Sequence, residues 1–496
     1  MLLCLLIACL PVGWVRAQSL DGPSTSSGLA ASKPNIILVM TDDQGMGDLS
    51  CMGNTILRTP HLDRFYEQST RFADFQVSPT CAPTRGAMMS GRPPFEVGIT
   101  HTILQRERLA LDVITFPQAL QQAGYKTGLF GKWHLGDDED YLPQNRGFHE
   151  VLMHGAGGIG QYAHGDFQAN TENTYFDNVL LHNDTIVTTR GFCTDVFFRA
   201  ALAWIKKQAE AGDPYFAYIS LNAPHGPFIA PEKSKKRFLD QGYDEKTAAR
   251  YGMIENIDDN VGLLMEKLNA WNALENTLVI FMTDNGMAMP AGTKNGKPFH
   301  RHNAGLRGGK NGPDEGGTHV PAFWYWKGVL GEGVDIAALT AHLDLYRTFC
   351  ELAGAKVPAG PLQPGGRSLV PLLENPQAEW PDRKLFIHCG RWQEGKREAA
   401  KFTKCAVRTQ RWRWVDNKRL YDISQDPGQK ENLAAQHPEE VQQLRSAFEQ
   451  WWNATLPLMV NEGLPKVDAA EQPLTIRYNK QLNERGIPDW APRIAK

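Results

Sequence analysis

Long apolar stretches, a surplus of charge of either sign and closely spaced cysteines are all missing from this chain, and each absence narrows what it can be. Beyond residue 10 no run approaches the roughly 18 apolar residues that a membrane-crossing helix needs, so no membrane span is expected. Lys and Arg total 52 against 55 Asp and Glu, a net charge of −3. Without a basic excess there is no general attraction to nucleic acid or to an anionic membrane, and any anion binding must be local. Cysteine is sparse, with 8 in 496 residues, and Cys51, Cys81, Cys193, Cys350, Cys389 and Cys405 are too scattered for a dense disulfide framework. No repeat with a period of about 20 to 50 residues is visible, which argues against a solenoid or propeller.

Residues 2–10, LLCLLIACL, form a short apolar run, and Val15-Arg16-Ala17 places a small residue at a cleavage point, so 1–17 reads as a secretory signal. The alternative is a lipoprotein-type site at Leu6-Ile7-Ala8-Cys9. The expected location is secreted or periplasmic. Residues 18–33, containing DGPSTSSGLAASK, are small, polar and breaker-rich and read as a flexible leader. Asn183-Asp184-Thr185 and Asn453-Ala454-Thr455 are glycosylation sequons that matter only in a eukaryotic host.

The length suits about three average domains, but large α/β enzymes merge such a length into one core. Asn35-Ile36-Ile37-Leu38-Val39-Met40 is a continuous apolar run ending in Thr41-Asp42-Asp43-Gln44-Gly45, as a strand buried on both faces looks where it leaves its sheet. Thr277-Leu278-Val279-Ile280-Phe281-Met282, ending in Thr283-Asp284-Asn285-Gly286, echoes it. Helical patterns at 116–124, 194–211 and 246–270 alternate with short strands such as 214–220, which predicts a largely parallel sheet covered on both faces. The texture changes near 375–385. Short antiparallel strands are expected at 405–408, 411–415 and 419–422, with a helix at 438–452. One large domain (34–375) and a C-terminal α+β subdomain (376–496) are therefore expected.

Ligands gather beyond the carboxyl ends of strands in open α/β sheets, and the two echoing ends bring Asp42, Asp43, Asp284 and Asn285. In a straight strand Asp42 and Asp43 would point to opposite faces, so both reach one ion only if the chain turns there, which Gly45 and Gly47 allow. All the donors are hard oxygens, which favours Ca²⁺ or Mg²⁺ over Zn²⁺; turn formation through the same side chains is the alternative. Lys132 and His134 follow a strand at 127–130, and an extended backbone would aim both to one side. His225 lies between Pro224 and Pro227. At both histidines an ordinary structural role stays open. Gly305 to Gly312 lacks the glycine and the Ser or Thr of a phosphate-binding Walker loop, and Gly155-Ala156-Gly157-Gly158-Ile159-Gly160 matches a dinucleotide fingerprint without the surrounding βαβ unit. Met88 and Met89 are expected in the core. In Cys81-Ala82-Pro83-Thr84-Arg85 a helix beginning after Pro83 would leave Cys81 near its N-terminus, where backbone N–H groups and Arg85 stabilise negative charge.

C-x-P-T-R followed by M-S-G-R resembles the signature of type I sulfatases. MTDDQGMGD, GKWHLG, NAPHGP, MTDNG and GGKNGPDEGG are similar, in order and spacing, to the other active-site blocks of that family, and TPHLDRF, NIDDNVG, GRSLVPLL and LYDISQDPGQKENLA look like its structural blocks. The likeness covers about 34–450. It implies an alkaline-phosphatase-like α/β fold, a large mixed sheet between helices with a smaller C-terminal α+β domain holding an antiparallel sheet. It further implies that Cys81 is converted to formylglycine by a formylglycine-generating maturation enzyme. By position, Asp42, Asp43, Asp284, Asn285 and the modified Cys81 would hold the cation, Ca²⁺ with Mg²⁺ as the alternative. Arg85 and Lys132 would orient the hydrate, His134 would act as base, and Lys310 and His225 would bind sulfate, His225 protonating the leaving group. The expected reaction is hydrolysis of a sulfate monoester on a small molecule or glycan. The alternatives are a phosphomonoester or phosphonate hydrolase on the same scaffold and a catalytically idle, secreted glycan-binding relative. His319 and Arg347 stand where the family commonly has Arg and Pro. The stretches 149–182 and 286–304, the latter with Lys294, Lys297, His300, Arg301 and His302, are expected to shape the leaving-group pocket.

Overall fold

The computed structural model describes residues 28–29, 33–167, 175–289, 291–360 and 362–492. The signal and lipoprotein expectations at 1–17, and nearly all of the leader at 18–33, lie outside them. Ten strands build the main sheet. They are β1 (Asn35–Thr41), β2 (Thr70–Phe72), β3 (Lys126–Lys132), β4 (Glu150–His154), β5 (Val179–His182), β6 (Thr185–Thr188), β7 (Tyr215–Ser220), β8 (Thr277–Thr283), β9 (Ala322–Tyr325) and β10 (Asp335–Ile336). Across the sheet the order is β10-β2-β9-β8-β1-β7-β3-β4-β5-β6. The central strands β8, β1, β7, β3 and β4 run parallel, whereas β9 and β5 pair antiparallel with the flanks of that block. The sheet is mixed because short return strands seal a parallel centre.

Strand periodicity explains the two cores. In β1 the side chains of Ile36, Leu38 and Met40 enter one apolar cluster, and those of Ile37 and Val39 enter the other. Each fully buried aliphatic side chain contributes about 1.5–3 kcal/mol relative to exposure. Of the principal helices, α1 (Pro60–Gln68), α2 (Cys81–Ser90), α3 (Phe116–Gln122), α4 (Cys193–Ala211), α5 (Glu245–Ala270) and α6 (Leu345–Ala353) cover the sheet. Helices α2, α3 and α6 pack on the Ile36 face, and α1, α4 and α5 on the Ile37 face. Met88 and Met89 are buried in the first of these clusters. Helix α2 starts at Cys81, three residues before the expected point, because Pro83 is tolerated in a first turn where its missing N–H is not needed.

A separate antiparallel sheet contains β11 (Leu385–His388), β12 (Cys405–Arg408), β13 (Trp412–Val415) and β14 (Arg419–Asp422). Its first strand was not anticipated. Helix α7 (Pro438–Thr455) packs Leu444, Phe448 and Trp452 on this sheet, while α8 (Pro473–Arg485) returns to the large one, where Leu474 joins the core and Gln481 brackets Ile186. The small sheet is tied to the large one by buried charge. Glu315 accepts from Arg408 Nε at 2.9 Å and from Arg413, while Arg408 also reaches Asp74 at 2.6 Å. His319 completes the cluster, donating Nε2–H to Ala73 O at 2.8 Å and facing Glu315 Oε2 with Nδ1 at 3.1 Å. Burial opposes its charge, but the Glu315 carboxylate raises its pKa above the usual imidazole value. Arg347 donates to Pro364 O. All six described cysteines are free, and no described helix is long and apolar enough to cross a membrane.

Candidate active site

Register places the first pair of acidic side chains. Thr41 and Thr283 are direct partners at the ends of β1 and β8, so Asp42 and Asp284 leave the sheet side by side. Asp43 takes a left-handed conformation (φ 66°), so the chain turns at this residue and its carboxylate does not point away from that of Asp42. The Asp43 N–H donates to Asp284 Oδ1 at 3.1 Å, and Asn285 Nδ2 donates to Asp43 Oδ1 at 2.9 Å. Helix α2 delivers Cys81 to the same point: ligand atoms of Asp42, Cys81 and Asp284 all lie within 4.8 Å of one another. The helix packs tightly at Gly86, where a Cβ would sit 2.1 Å from Ile99 Cδ1. Thr84 Oγ1 accepts the N–H of Ser78 at 3.0 Å, bracing the turn that enters the helix.

Three cations face three carboxylates. Lys132 Nζ lies 2.6 Å from Asp42 Oδ2, Arg85 Nη2 2.7 Å from Asp284 Oδ2 and Lys310 Nζ 2.6 Å from Asp43 Oδ1. Arg85 also donates to Lys132 O and Ser220 Oγ, which fixes its plane against the ends of β3 and β7. Burial would raise the Asp42 and Asp43 pKa values, but Lys132 beside the first and Lys310 beside the second hold both below the ordinary range. Asp284 goes the other way: burial and the Asp42 charge push it up against the pull of Arg85. Burial also opposes ionisation of the Cys81 thiol, yet Lys132 and Lys310 bring it below the usual value. The crowded carboxylates leave Asp42 Oδ1 and Asn285 Oδ1 buried with no hydrogen-bond partner. Unpaired hard-oxygen donors beside a raised carboxyl suit a divalent cation, and Asp42, Asp43, Asp284 and Asn285 are the residues able to hold it.

The histidines come with defined proton positions. His134 does not continue β3 as an extended residue; its φ of 62° swings the ring back toward the centre, a correction to the straight-strand expectation. Its Nε2 lies 2.7 Å from Thr102 O, an acceptor only, so Nε2 carries the hydrogen. Burial and Lys132 push its pKa well below the ordinary imidazole value, leaving a neutral ring whose buried Nδ1 lone pair has no partner. His225 Nδ1 is 2.7 Å from Gly226 O, and its Nε2 is 3.8 Å from Asp43 Oδ2.

All the predicted site residues are brought together in this way. Of the two stretches expected to shape the pocket, 149–182 does reach the site, although its contacts with the histidines and the aspartates that hold it were not legible. The loop 155–160, recognisable only as glycine-rich, lies over both histidines: a Cβ on Gly157 would be 2.6 Å from His134 Cε1 and Nε2, and one on Gly158 would be 3.4 Å from His225 Nδ1. The loop is pinned by Asp166, which accepts from the Gly155 and Gly160 N–H groups at 3.0 and 2.5 Å, and by Asp137, which accepts from Ala156 N–H at 2.9 Å. In the other expected pocket stretch, Arg301 and His302 turn inward. Arg301 pairs with buried Asp48, and His302 Nε2 bonds Met52 O, so both side chains fasten their segment to the short helical turns after β1.

A family model described as Sulfatase matches residues 34–355, and one described as N-sulphoglucosamine sulphohydrolase, C-terminal, matches 314–453. The chain is 31% identical to arylsulfatase A of Homo sapiens over 503 residues, covering 90% of this chain and 93% of that protein. It is 30% identical to N-acetylgalactosamine-6-sulfatase of Rattus norvegicus over 406 residues, covering 76% and 73%. Among solved structures, Ps i-CgsB superposes with a TM-score of 0.73 at 27% identity over 91% of this chain and 98% of the other; it has also been solved in complex with k-i-k-neocarrahexaose.

Proposed function

Because the chain belongs to the sulfatase family, a family of sulfuric ester hydrolases, we propose that it desulfates a sulfated glycan outside the cytoplasm, using formylglycine made from Cys81 and a divalent cation, Ca²⁺ before Mg²⁺. Conversion of Cys81 would supply an aldehyde hydrate, one hydroxyl of which attacks sulfur while the other later expels sulfate by re-forming the aldehyde. The cation, held by Asp42, Asp43, Asp284 and Asn285, would supply positive charge to lower the hydrate pKa and to offset the sulfate oxygens.

The remaining work falls to side chains. Lys132 and Arg85, locked on Asp42 and Asp284, orient the group at position 81. Arg85, Lys132 and Lys310 stand against Asp42, Asp43 and Asp284, and a bound divalent cation, which would also hold Asp284 ionised, would leave the site net positive. A net positive, water-poor pocket suits the monoanionic sulfate ester and the negative charge that builds on its oxygens as the ester bond breaks. His134 is the base: its tautomer is set by Thr102 O, and the bare Nδ1 accepts the proton when sulfate is expelled. His225, steadied by Gly226 O, passes a proton to the departing sugar oxygen. Homologues that act on amino-sugar and aryl sulfates support the substrate class.

The observation that carries the reading is the meeting of Cys81 with Asp42 and Asp284 where buried oxygens stay unpaired and fixed cations surround them. Turnover of an aryl sulfate and an aryl phosphate, assayed side by side, tests it. Sulfate hydrolysis is expected to dominate, and preference for the phosphate would overturn the reading.

A further inference from the structure

The mouth of the site carries a cation that the reaction at sulfur does not use. Arg391 lies on the loop after β11, in the C-terminal part of the chain, and its backbone is fastened to the catalytic side: its N–H donates to Thr100 O at 2.9 Å, and Arg106 Nη1 donates to Trp392 O at 2.8 Å. Gly390 permits this approach, for a Cβ there would fall 2.1 Å from Thr100 O. The Arg391 side chain is exposed, yet Nη1 is aimed by Asn311 Oδ1 at 2.5 Å, next to Lys310. Among the described residues no carboxylate pairs with it. Beside Lys310 and Asn311 opens a cavity of about 410 Å³, walled by Met287, Met289 and Gly309, within the range that holds a small ligand.

His101 follows Thr100, the residue to which the Arg391 backbone is tied. Its Nδ1 accepts the N–H groups of Thr102 and Ile103 at 2.9 and 3.1 Å, so its one hydrogen is on Nε2, which has no hydrogen-bond partner among the described residues. Burial, with Arg106 and Arg391 adding positive charge nearby, keeps the ring neutral down to about pH 3. A fixed neutral donor next to a fixed unpaired guanidinium is an arrangement for an anion with a neighbouring polar group.

We propose that Arg391, with His101 beside it, is a specificity-determining residue that binds a second anionic group, a carboxylate or further sulfate, on the glycan next to the ester being cleaved. This rests on the sulfatase reading and narrows it to glycans carrying more than one anion.

Two measurements separate the two claims. Turnover is compared on a monosulfated saccharide and on the same saccharide bearing a carboxylate or second sulfate on the adjoining sugar. Wild type is expected to favour the latter. Arg391→Gln, at an exposed position, should keep the wild-type melting temperature and lose about tenfold to a hundredfold in kcat/KM on the doubly anionic substrate, mostly through KM, with a much smaller loss on the monosulfated one. Equal losses on both, or none, would overturn the proposal. Calorimetric binding of the doubly anionic saccharide to protein with unconverted Cys81, which cannot turn it over, reads Arg391 without catalysis. A Kd unaffected by Arg391→Gln there would also overturn it, whereas mature wild type inert on both saccharides would overturn the sulfatase reading instead. Comparing the carboxylate-bearing and disulfated saccharides identifies which anion is read.

Discussion

Gly157→Ala is the sharpest perturbation that the geometry allows, because it moves the ring proposed as the base with little else. Gly157 is not in the left-handed region, so alanine brings no backbone strain. Its new methyl would lie 2.6 Å from both Cε1 and Nε2 of His134, whereas ordinary contact begins near 3.4 Å, so the ring must retreat by roughly 1 Å. The retreat strains the bond from Nε2 to Thr102 O and takes the Nδ1 lone pair from where sulfate leaves. A misplacement of about 1 Å costs on the order of a hundredfold in rate. The assay is kcat on an aryl sulfate with the formylglycine content of each sample matched, alongside a thermal melt. The expected result is a fall of about a hundredfold in kcat with the melting temperature little altered. A variant within twofold of wild type would refute the placement of His134 as the base.

Three further outcomes follow from the packing. Glu315→Gln strands Arg408 and Arg413 without their shared buried carboxylate and should cost about 3–5 kcal/mol in denaturant unfolding; a loss under about 1 kcal/mol would contradict the role given to this cluster. The raised pKa of His319 means that its contribution is fully present below the unfolded value of about 6.5 and is lost as pH rises through the higher folded value, so stability should decline over that window in wild type and much less in His319→Gln. Gly86→Ala should destabilise by about 1–3 kcal/mol through the clash with Ile99 Cδ1, and adding Ile99→Val, which removes that atom, should restore most of the loss; failure of the rescue would locate the strain elsewhere.

The sheet and the acidic pair were legible because a strand buried on both faces must be continuously apolar and must end abruptly. Two such strands with the same ending, MTDD and MTDN, turn out to be neighbours in register. Helices at 193–211, 245–270 and 438–455 lie close to where periodicity put them. What was not legible depends on local conformation or on distant chain. The positive φ of Asp43 and of His134 leaves no compositional mark at either residue, yet it decides where each side chain goes. Asp137 and Asp166 look like loop aspartates, and only the fold shows them gripping a glycine loop. Arg391 and Asn311 are 80 positions apart, and nothing in either segment announces the other. Strand β11 is no shorter than β12, β13 and β14, but it begins inside the change of texture at 375–385, which hides its start.

Peptide mass analysis of residue 81 in protein made with and without the maturation enzyme, paired with turnover of each preparation, is the most direct check on the central claim. Activity is expected to rise in proportion to the aldehyde form and to vanish in Cys81→Ala, which should still fold. Full turnover from protein whose residue 81 is entirely unconverted cysteine would contradict it.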